Sequence, residues 1–298
     1  MTNPTTPRHT TPATDTVPLA LWPVAQTTAR YQRAGRYHPD CAHHPGKMLP
    51  ELARRIVAEY SEPGALVADP MAGTATTLIE AATLGRRAVG IELEGRWVDL
   101  AHTNINHALP PDAAALVEIR RGDATALDQV AGDLAGTVDL VCTSPPYGCD
   151  VSIPNVARWR AEGRLGPSLE RNYSTDTANL GHARGHTYTA AMAKVYAGCF
   201  TLLRPGGILA VVTKNSVRRG RTLDLAGLTV ALAEAAGFTY LQHVIALHAA
   251  IRDGDLVDRA SLWQRQRVRN ARNRGEPAHL VSHEDVSILR RPEVPSHA

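Results

Sequence analysis

The feature that most constrains the fold is a repeated order of short apolar runs, each followed by a polar loop and an amphipathic segment. The apolar runs are too short for helices and are typical of buried strands. Strands that alternate with helices of this length predict a doubly wound, mostly parallel α/β sheet. Seven strands are predicted, over residues 65–69, 87–92, 116–120, 137–142, 208–213, 238–248 and 284–290.

The segments between the strands set the rest of the domain organisation. Helices are predicted over residues 49–60, 77–84, 95–107, 188–203 and 223–236. Residues 1–28 are rich in Thr and Pro and predict a disordered tail. Residues 29–298 then form a single domain, in which 149–185 and 252–275 show no clear period and are predicted to be irregular insertions.

Composition excludes several classes of protein. The chain has 298 residues, of which 44% are hydrophobic and 20% charged, so wholesale disorder is excluded. It has no apolar run long enough for a membrane helix, and its polar N-terminus predicts a cytoplasmic protein. The four scattered cysteines suit a reducing compartment. Four neighbouring side chains match no tetrahedral zinc spacing, so no metal is expected: His38, Cys41, His43 and His44.

Acidic residues follow each of the first three predicted strands. Asp69 opens the small-residue loop DPMAGTATT, Glu92 ends the second strand, and Asp123 follows the third. Ligands of open α/β sheets bind at the carboxyl edge, where such a loop and a helix N-terminus let a ligand reach backbone N–H groups. Each acid also has an ordinary structural alternative, such as a capped turn, a helix start or an N-cap. The three together favour a nucleotide-type ligand.

The segment Thr143-Ser-Pro-Pro-Tyr-Gly148 follows the fourth predicted strand. Two prolines lock an extended turn that exposes the carbonyl of Pro145. Ser144 adds a hydroxyl and Tyr147 a flat ring face, so the segment suits a planar amino group. The alternative is a proline-rich loop beside a core tyrosine.

These motifs, in the order DPMAGTATT, GIELE, GDA, TSPPYG and RPGG, resemble the S-adenosylmethionine-dependent DNA amino-methyltransferases over roughly residues 37–290. The segment HHPGKMLPELARRIV resembles the helix entry before their cofactor loop. The resemblance implies a Rossmann-like class I methyltransferase fold, with a seven-stranded sheet and one antiparallel strand. It implies S-adenosylmethionine as cofactor, held by Asp69, Met71, Ala72, Gly73, Thr74, Glu92, Leu93, Asp123 and Ala124. It assigns the target base to Ser144, Pro145, Pro146 and Tyr147.

The resemblance also implies the reaction. A Ser before the prolines goes more often with cytosine-N4 enzymes, so site-specific methylation of DNA at cytosine N4 is expected, with adenine N6 or a tRNA guanine-N2 amine as alternatives. The chain has no Pro-Cys pair, which excludes carbon-5 cytosine chemistry. Met71 and Ala75 replace an aromatic residue and a glycine of the family pattern, and Ala75 is expected to tighten the loop and weaken cofactor binding.

DNA is the expected partner, with RNA as the alternative, and no membrane is expected. The two insertions, 149–185 and 252–275, are the candidate nucleic-acid contacts, since clustered arginine with an aromatic residue suits phosphates and bases. A solvated basic loop is the alternative for 252–275. That segment carries Arg252, Arg259, Arg265, Arg267, Arg269, Arg272 and Arg274, with Trp263 among them. The oligomeric state, the recognition sequence and any restriction partner are left open by the sequence.

Overall fold

The computed structural model of the chain describes residues 17–146, 179–183, 185–218 and 221–293. Its strands are β1 (Leu21–Trp22), β2 (Leu66–Asp69), β3 (Arg87–Glu92), β4 (Val117–Arg121), β5 (Val138–Thr143), β6 (Leu203–Thr213), β7 (Ser216–Arg218), β8 (Arg221–Leu223), β9 (Thr239–Leu247), β10 (Ala249–Arg252), β11 (Asp255–Asp258) and β12 (His283–Arg290). Its helices are α1 (Ala29–Arg33), α2 (Pro50–Tyr60), α3 (Thr76–Thr83), α4 (Gly95–Ala108), α5 (Pro111–Ala114), α6 (Leu127–Val130), α7 (Gly185–Leu202), α8 (Leu225–Ala235) and α9 (Leu262–Asn273).

The main sheet has eight strands in the order β1-β9-β12-β6-β5-β2-β3-β4. Strand β12 runs antiparallel to β6 and β9, and the other recorded pairings in this sheet are parallel. The predicted doubly wound sheet with one antiparallel strand is therefore confirmed. The main sheet contains the seven predicted strands and one further strand, the two-residue β1.

Two hydrophobic clusters cover the two faces of the sheet, as a doubly wound fold requires. Along β5, the side chains of Leu140 and Cys142 join one cluster and that of Val141 joins the other. Helices α2, α3 and α4 pack on the first face, while α6, α7 and α8 pack on the second. The central strands are buried from both sides, so their apolar runs lack the alternation of a half-exposed strand.

The N-terminal segment differs from the sequence prediction for residues 1–28. Residues 1–16 lie outside the described part, but Leu21 pairs with Ile245 and Trp22 with Ala246. The Trp22 side chain is buried, and the Arg55 guanidinium lies 5.3 Å from the centre of its ring. Strand pairing and tertiary packing here override a local composition that has no strand signal.

The prediction that 252–275 is irregular was wrong. This segment contains most of the hairpin β10–β11 and the whole of α9. At the start of α9 the Ser261 hydroxyl accepts from the Gln264 N–H, and the Gln264 side chain accepts from the Ser261 N–H. This capping box, followed by residues with high helix propensity, starts a helix that has no apolar periodicity.

The predicted turn at Arg204–Gly207 is instead part of β6, where the pairing with β5 shifts register between Val138 and Leu140. Of the insertion 149–185, residues 149–178 and 184 lie outside the described part of the chain. No helix among the described residues has the length and apolar character needed to cross a membrane.

Candidate functional site

The carboxyl ends of β2, β3 and β5 lie side by side, and the loops that follow them start at one edge of the sheet. Asp69 pairs with Gly90 of β3, and Ala68 pairs with Val141 of β5. Residues 70–75, which we call the edge loop, leave from the middle strand of the three. The topology therefore brings Asp69, Glu92 and Ser144 to the same edge.

Asp69 organises the start of the edge loop. Its Oδ1 accepts from the Met71 N–H at 3.1 Å, and its Oδ2 accepts from the Thr77 hydroxyl at 2.7 Å. Burial raises the pKa of the Asp69 carboxyl, and the Thr77 and Thr143 hydroxyls oppose that rise. Asp69, the last residue of β2, thus holds the start of the edge loop and the first turn of α3.

Glu92 connects the edge loop to the neighbouring strand. One carboxylate oxygen accepts from the Gly73 N–H at 2.9 Å and the other from the Glu94 N–H at 3.0 Å. Burial raises the pKa of the Glu92 carboxyl, and the two N–H groups oppose that rise. A carboxylate has about four lone-pair sites, so two backbone bonds leave acceptor capacity for a hydroxyl-bearing ligand.

The edge loop is tight enough to restrict its side chains. Ala75 lies in the left-handed region with φ 66°, and Gly73 has φ 53°. Ala75 therefore adopts a conformation that glycine reaches without steric cost. A Cβ added at Gly90, beneath the loop, would lie 2.5 Å from Leu78 Cδ1 and 2.8 Å from Ala72 Cβ.

A second layer, which the sequence interpretation missed, packs over the edge loop. The Asn104 side chain donates to the Thr74 carbonyl at 2.6 Å and accepts from the His38 N–H at 2.9 Å. The Tyr37 hydroxyl donates to the buried Glu80 carboxylate of α3 at 2.5 Å. The HHPGKM segment marks this region in sequence, but no local pattern identifies Asn104 or Glu80 as its partners.

His44 belongs to the same layer. Its ring lies 4.6 Å from the Trp97 ring in a T-shaped contact, and a Cβ added at Gly73 would lie 3.3 Å from it. Burial, with Lys47 nearby, lowers the pKa of His44 to about 3. A neutral imidazole therefore lies against the edge loop near neutral pH.

The remaining predicted cofactor residues lie around this loop. Met71 packs partly against the core, Ala72 is buried, and Leu93 is half-buried. Asp123 Oδ1 accepts from the Thr125 N–H at 2.8 Å, so this residue caps the short 3₁₀ turn that begins at Ala124. The Gly122 N–H donates to the Glu92 carbonyl at 3.0 Å, which places Asp123 next to the end of β3.

The structure describes three of the four predicted catalytic residues. Pro145 is buried, whereas Ser144 and Pro146 are half-buried. Tyr147 lies outside the described residues. Cys142, two residues before Ser144, is buried in β5, and burial holds the pKa of its thiol well above the ordinary value. The described residues include no group of three metal-ligating side chains that could hold a metal ion.

Comparisons with known proteins show which families this chain is similar to. The family model described as DNA methylase, for N6 and N4 methyltransferases, matches residues 5–103. A type II methyltransferase, M.MthZI of Methanothermobacter thermautotrophicus, is 46% identical over 59 residues, which are 20% of this chain and 17% of that protein. In these segments the chain is similar to the DNA amino-methyltransferases. The predicted resemblance is confirmed, and the family and fold imply S-adenosylmethionine as the cofactor.

The chain also resembles an RNA enzyme. The tRNA (guanine(10)-N2)-dimethyltransferase of Methanocaldococcus jannaschii is 34% identical over 121 residues, which are 40% of this chain and 34% of that protein. The chain thus matches about a third or less of the length of these curated relatives. The crystal structure of the [4+2]-cyclase SpnF superposes with a TM-score of 0.50 at 15% sequence identity. The match covers 87% of this chain and 88% of the SpnF chain, and it shows a similar fold alone.

The residues at the edge fit this cofactor. Its sulfonium is a cation, and the edge carries the carboxyl groups of Asp69, Glu92 and Asp123. The close approach of Ala72 and Leu78 to Gly90 leaves no room for a Cβ beneath the loop. Backbone groups of the loop are therefore held at the place where a nucleotide-type ligand binds in such sheets.

Proposed function

We propose that the protein transfers a methyl group from S-adenosylmethionine to an exocyclic amine of a DNA base, and that this amine is N4 of cytosine. The observation that supports this most is the adjacency of three loops at one sheet edge. Two of them carry the buried carboxyl groups of Asp69 and Glu92, and the third carries Ser144 and the two prolines. A cofactor cradle and an amine-accepting turn would thus open onto the same space.

The cofactor supplies an electrophilic methyl group on a sulfonium when it is bound. In the proposed site, Glu92 accepts from the ribose hydroxyls with the lone pairs that Gly73 and Glu94 leave unused. Met71 to Thr74 hold the methionine end through the backbone, and Leu93, Asp123 and Ala124 line the adenine side. Asp69 acts through the loop, because its carboxylate already receives the Met71 N–H and the Thr77 hydroxyl.

The turn after β5 prepares the acceptor. An exocyclic aromatic amine is a weak nucleophile because its lone pair is delocalised into the ring. Ser144 and the Pro145 carbonyl would accept the amine hydrogens and localise that lone pair, so that the nitrogen could take the methyl group that the bound cofactor would supply. The proton displaced from the amine would pass to solvent water. Positioning and electrostatics suffice for this displacement, so no covalent enzyme intermediate is needed.

Cys142, the cysteine nearest the Ser-Pro-Pro turn among the described residues, is excluded as a nucleophile for carbon-5 chemistry. Cys142 is fully buried and its pKa is raised well above the ordinary value, so a thiolate is disfavoured at neutral pH. Within the amine class, the Ser before the prolines supports cytosine N4 over adenine N6. In duplex DNA the base would have to leave the stack, with Tyr147 as the proposed stacking platform.

The match to the tRNA guanine-N2 enzyme supports a second candidate, because guanine N2 is also an exocyclic amine. Both candidates share the edge chemistry and differ in the nucleic acid that carries the amine. The test is transfer of labelled methyl to genomic DNA and, separately, to total tRNA. The Ser144→Ala variant is expected to lower transfer at unchanged cofactor affinity, and label in tRNA alone would contradict the DNA assignment.

A further inference from the structure

Helix α9 carries a concentration of positive charge, most of it exposed. Its twelve residues include four arginines and no acidic residue. It buries only Ala271 among its side chains, and it is polar on almost every side. A helix of this kind gains little from apolar burial, and its like charges repel one another.

The arginines of residues 249–274, which we call the arginine module, divide into two kinds. Some hold the module in place. The Arg252 and Arg259 guanidinium groups donate to the Gln26 carbonyl at 2.7 and 2.9 Å. Arg265 pairs with Asp258 at 2.9 Å, and Arg274 pairs with Glu276 at 2.9 Å.

Arg269 and Arg272 are of the other kind. Both are exposed, and neither forms an ion pair among the described residues. Arg272 gives one N–H to the Ala278 carbonyl at 3.1 Å, which leaves most of its five donors available. With Arg265 these residues occupy positions i, i+4 and i+7, so the three guanidinium groups share one face of α9.

The topology brings the arginine module to the same sheet edge as the proposed site. The module connects the carboxyl end of β9 to the start of the antiparallel strand β12, and both lie at the carboxyl edge. The Asp285–Thr213 pairing places the start of β12 next to the end of β6, which is the strand beside β5 and its Ser-Pro-Pro turn. An exposed aromatic residue, Trp263, and an exposed arginine, Arg267, lie on a second face of the helix.

We propose that α9 binds the phosphate backbone of duplex DNA through Arg269 and Arg272 and holds the duplex over the carboxyl edge. This inference rests on the proposed function and names the surface that recognises its substrate. Guanidinium groups bind phosphate oxygens through paired N–H donors, independently of base sequence. Arg252 and Arg259 belong to the anchor of the module and not to this phosphate-binding surface.

The test compares two double variants that each remove two exposed arginines. Arg269→Gln with Arg272→Gln changes α9, whereas Arg87→Gln with Arg290→Gln changes two exposed arginines at the opposite, amino edge of the sheet. Binding to a mixed-sequence DNA duplex is measured by fluorescence anisotropy between about 50 and 200 mM salt. S-adenosylmethionine affinity and thermal unfolding of each variant show that the fold is intact.

The α9 variant is expected to bind duplex about tenfold more weakly. The negative slope of its log affinity against log salt should become less steep by about 1 to 2. The amino-edge variant is expected to keep the wild-type slope. Equal slopes for both variants would overturn the inference. Loss of affinity for a tRNA transcript with unchanged duplex affinity would also overturn it and assign α9 to an RNA surface.

Methyl transfer by the wild-type protein separates this inference from the proposed function. If the wild type methylates DNA while the α9 variant binds duplex with the wild-type salt slope, the function stands and the role of α9 is refuted. If the duplex slope depends on α9 while label enters tRNA alone, the phosphate-binding surface stands and the DNA assignment is refuted.

Discussion

The edge loop and helix α9 leave the same edge of the sheet, but different interactions hold them. The edge loop is mostly buried, and its Met71 and Gly73 N–H groups are bonded to the carboxylates of Asp69 and Glu92. Helix α9 is exposed and is attached chiefly through guanidinium contacts of its module. The core fixes the geometry of the loop, where a small ligand needs precision, whereas Arg269 and Arg272 of the helix are exposed, as binding of a large partner requires. Substitutions in the loop should therefore change stability and cofactor affinity together, whereas substitutions in α9 should change nucleic-acid affinity alone.

Gly90→Ala should have the largest effect. The added Cβ would lie 2.5 Å from Leu78 Cδ1 and 2.8 Å from Ala72 Cβ. Leu78 can change rotamer, but Ala72 cannot, so the loop backbone must move. We expect a loss of up to about 3 kcal/mol in the free energy of unfolding, with at least about tenfold weaker cofactor binding. Gly132→Ala is the control, because nothing lies within 4 Å of its added Cβ.

Urea unfolding and calorimetric titration with S-adenosylmethionine measure these two quantities. If Gly90→Ala and Gly132→Ala had the same stability and cofactor affinity, the core would not fix the geometry of the edge loop.

Glu92→Gln should have the next largest effect. The amide has one acceptor oxygen, so an NH₂ group would face the N–H of Gly73 or of Glu94. We expect a loss of about 2 kcal/mol in stability and about tenfold or greater weakening of cofactor binding. The exposed Glu62→Gln is the matched control. Weakened cofactor binding without a change in stability would show that the carboxylate does not hold the loop.

Glu92 also predicts a pH dependence of cofactor binding. Burial raises the pKa of its carboxyl, so protonation begins at a higher pH than for an exposed glutamate. Affinity for the cationic cofactor should fall as the pH falls through that raised pKa, and Glu92→Gln should remove this part of the dependence. A wild-type affinity that is constant across the acidic range would contradict the assignment of Glu92.

His44 should make the loop layer sensitive to acid. Its pKa is about 3 in the folded chain, against 6.5 for an ordinary histidine, so the unfolded chain binds the proton between these values. Stability from the neutral imidazole is present above pH 6.5 and is lost as the pH falls towards 3, by up to about 1.4 kcal/mol for each pH unit. His44→Gln should flatten this slope in urea unfolding at several pH values.

The carboxyl groups of Asp69 and Glu92 have the opposite effect on stability. Burial raises their pKa, so the folded chain binds their protons at a higher pH than the unfolded chain does, and stability rises as the pH falls. The difference between wild type and His44→Gln isolates the histidine contribution. An unchanged slope in the variant would show that His44 is not buried in solution.

Ala75→Gly should have the smallest effect. Glycine removes the left-handed strain of about 1 kcal/mol, but it also loses a fully buried methyl group worth about as much. We expect a net change below about 1 kcal/mol in stability and below about threefold in cofactor affinity. Ala75→Val should be clearly destabilising, because a β-branched residue rarely adopts φ near 66°. A large gain in affinity for the glycine variant would show that the alanine impairs the natural site.

The sequence predicts the parts of the molecule whose signal is local. The bounds of β3 match the prediction at residues 87–92, because a doubly buried parallel strand is a continuous apolar run between turn residues. Asp69 and Glu92 could be found from their positions at strand ends. Their partners in the edge loop were not predicted, and the Gly73 N–H from which Glu92 accepts lies 19 residues away in the chain.

Other features depend on contacts that are distant in sequence. Asn104 reaches the Thr74 carbonyl across 30 residues, and Arg259 reaches the Gln26 carbonyl across 233. Helix α9 was missed because its residues have no apolar period, and its capping box requires that the Ser261 and Gln264 side chains be recognised as a pair. Local patterns contain no information on which arginines anchor the module and which are exposed.

The central claim is most directly tested by the identity of the methylated nucleoside. Purified protein is incubated with labelled S-adenosylmethionine and genomic DNA or total tRNA, and the nucleic acid is digested to nucleosides that are identified by mass. The account predicts N4-methyldeoxycytidine, while N6-methyldeoxyadenosine would keep the reaction class and correct the base. Label in N2-methylguanosine of tRNA alone, or no labelled nucleoside from a protein that binds the cofactor, would contradict the account.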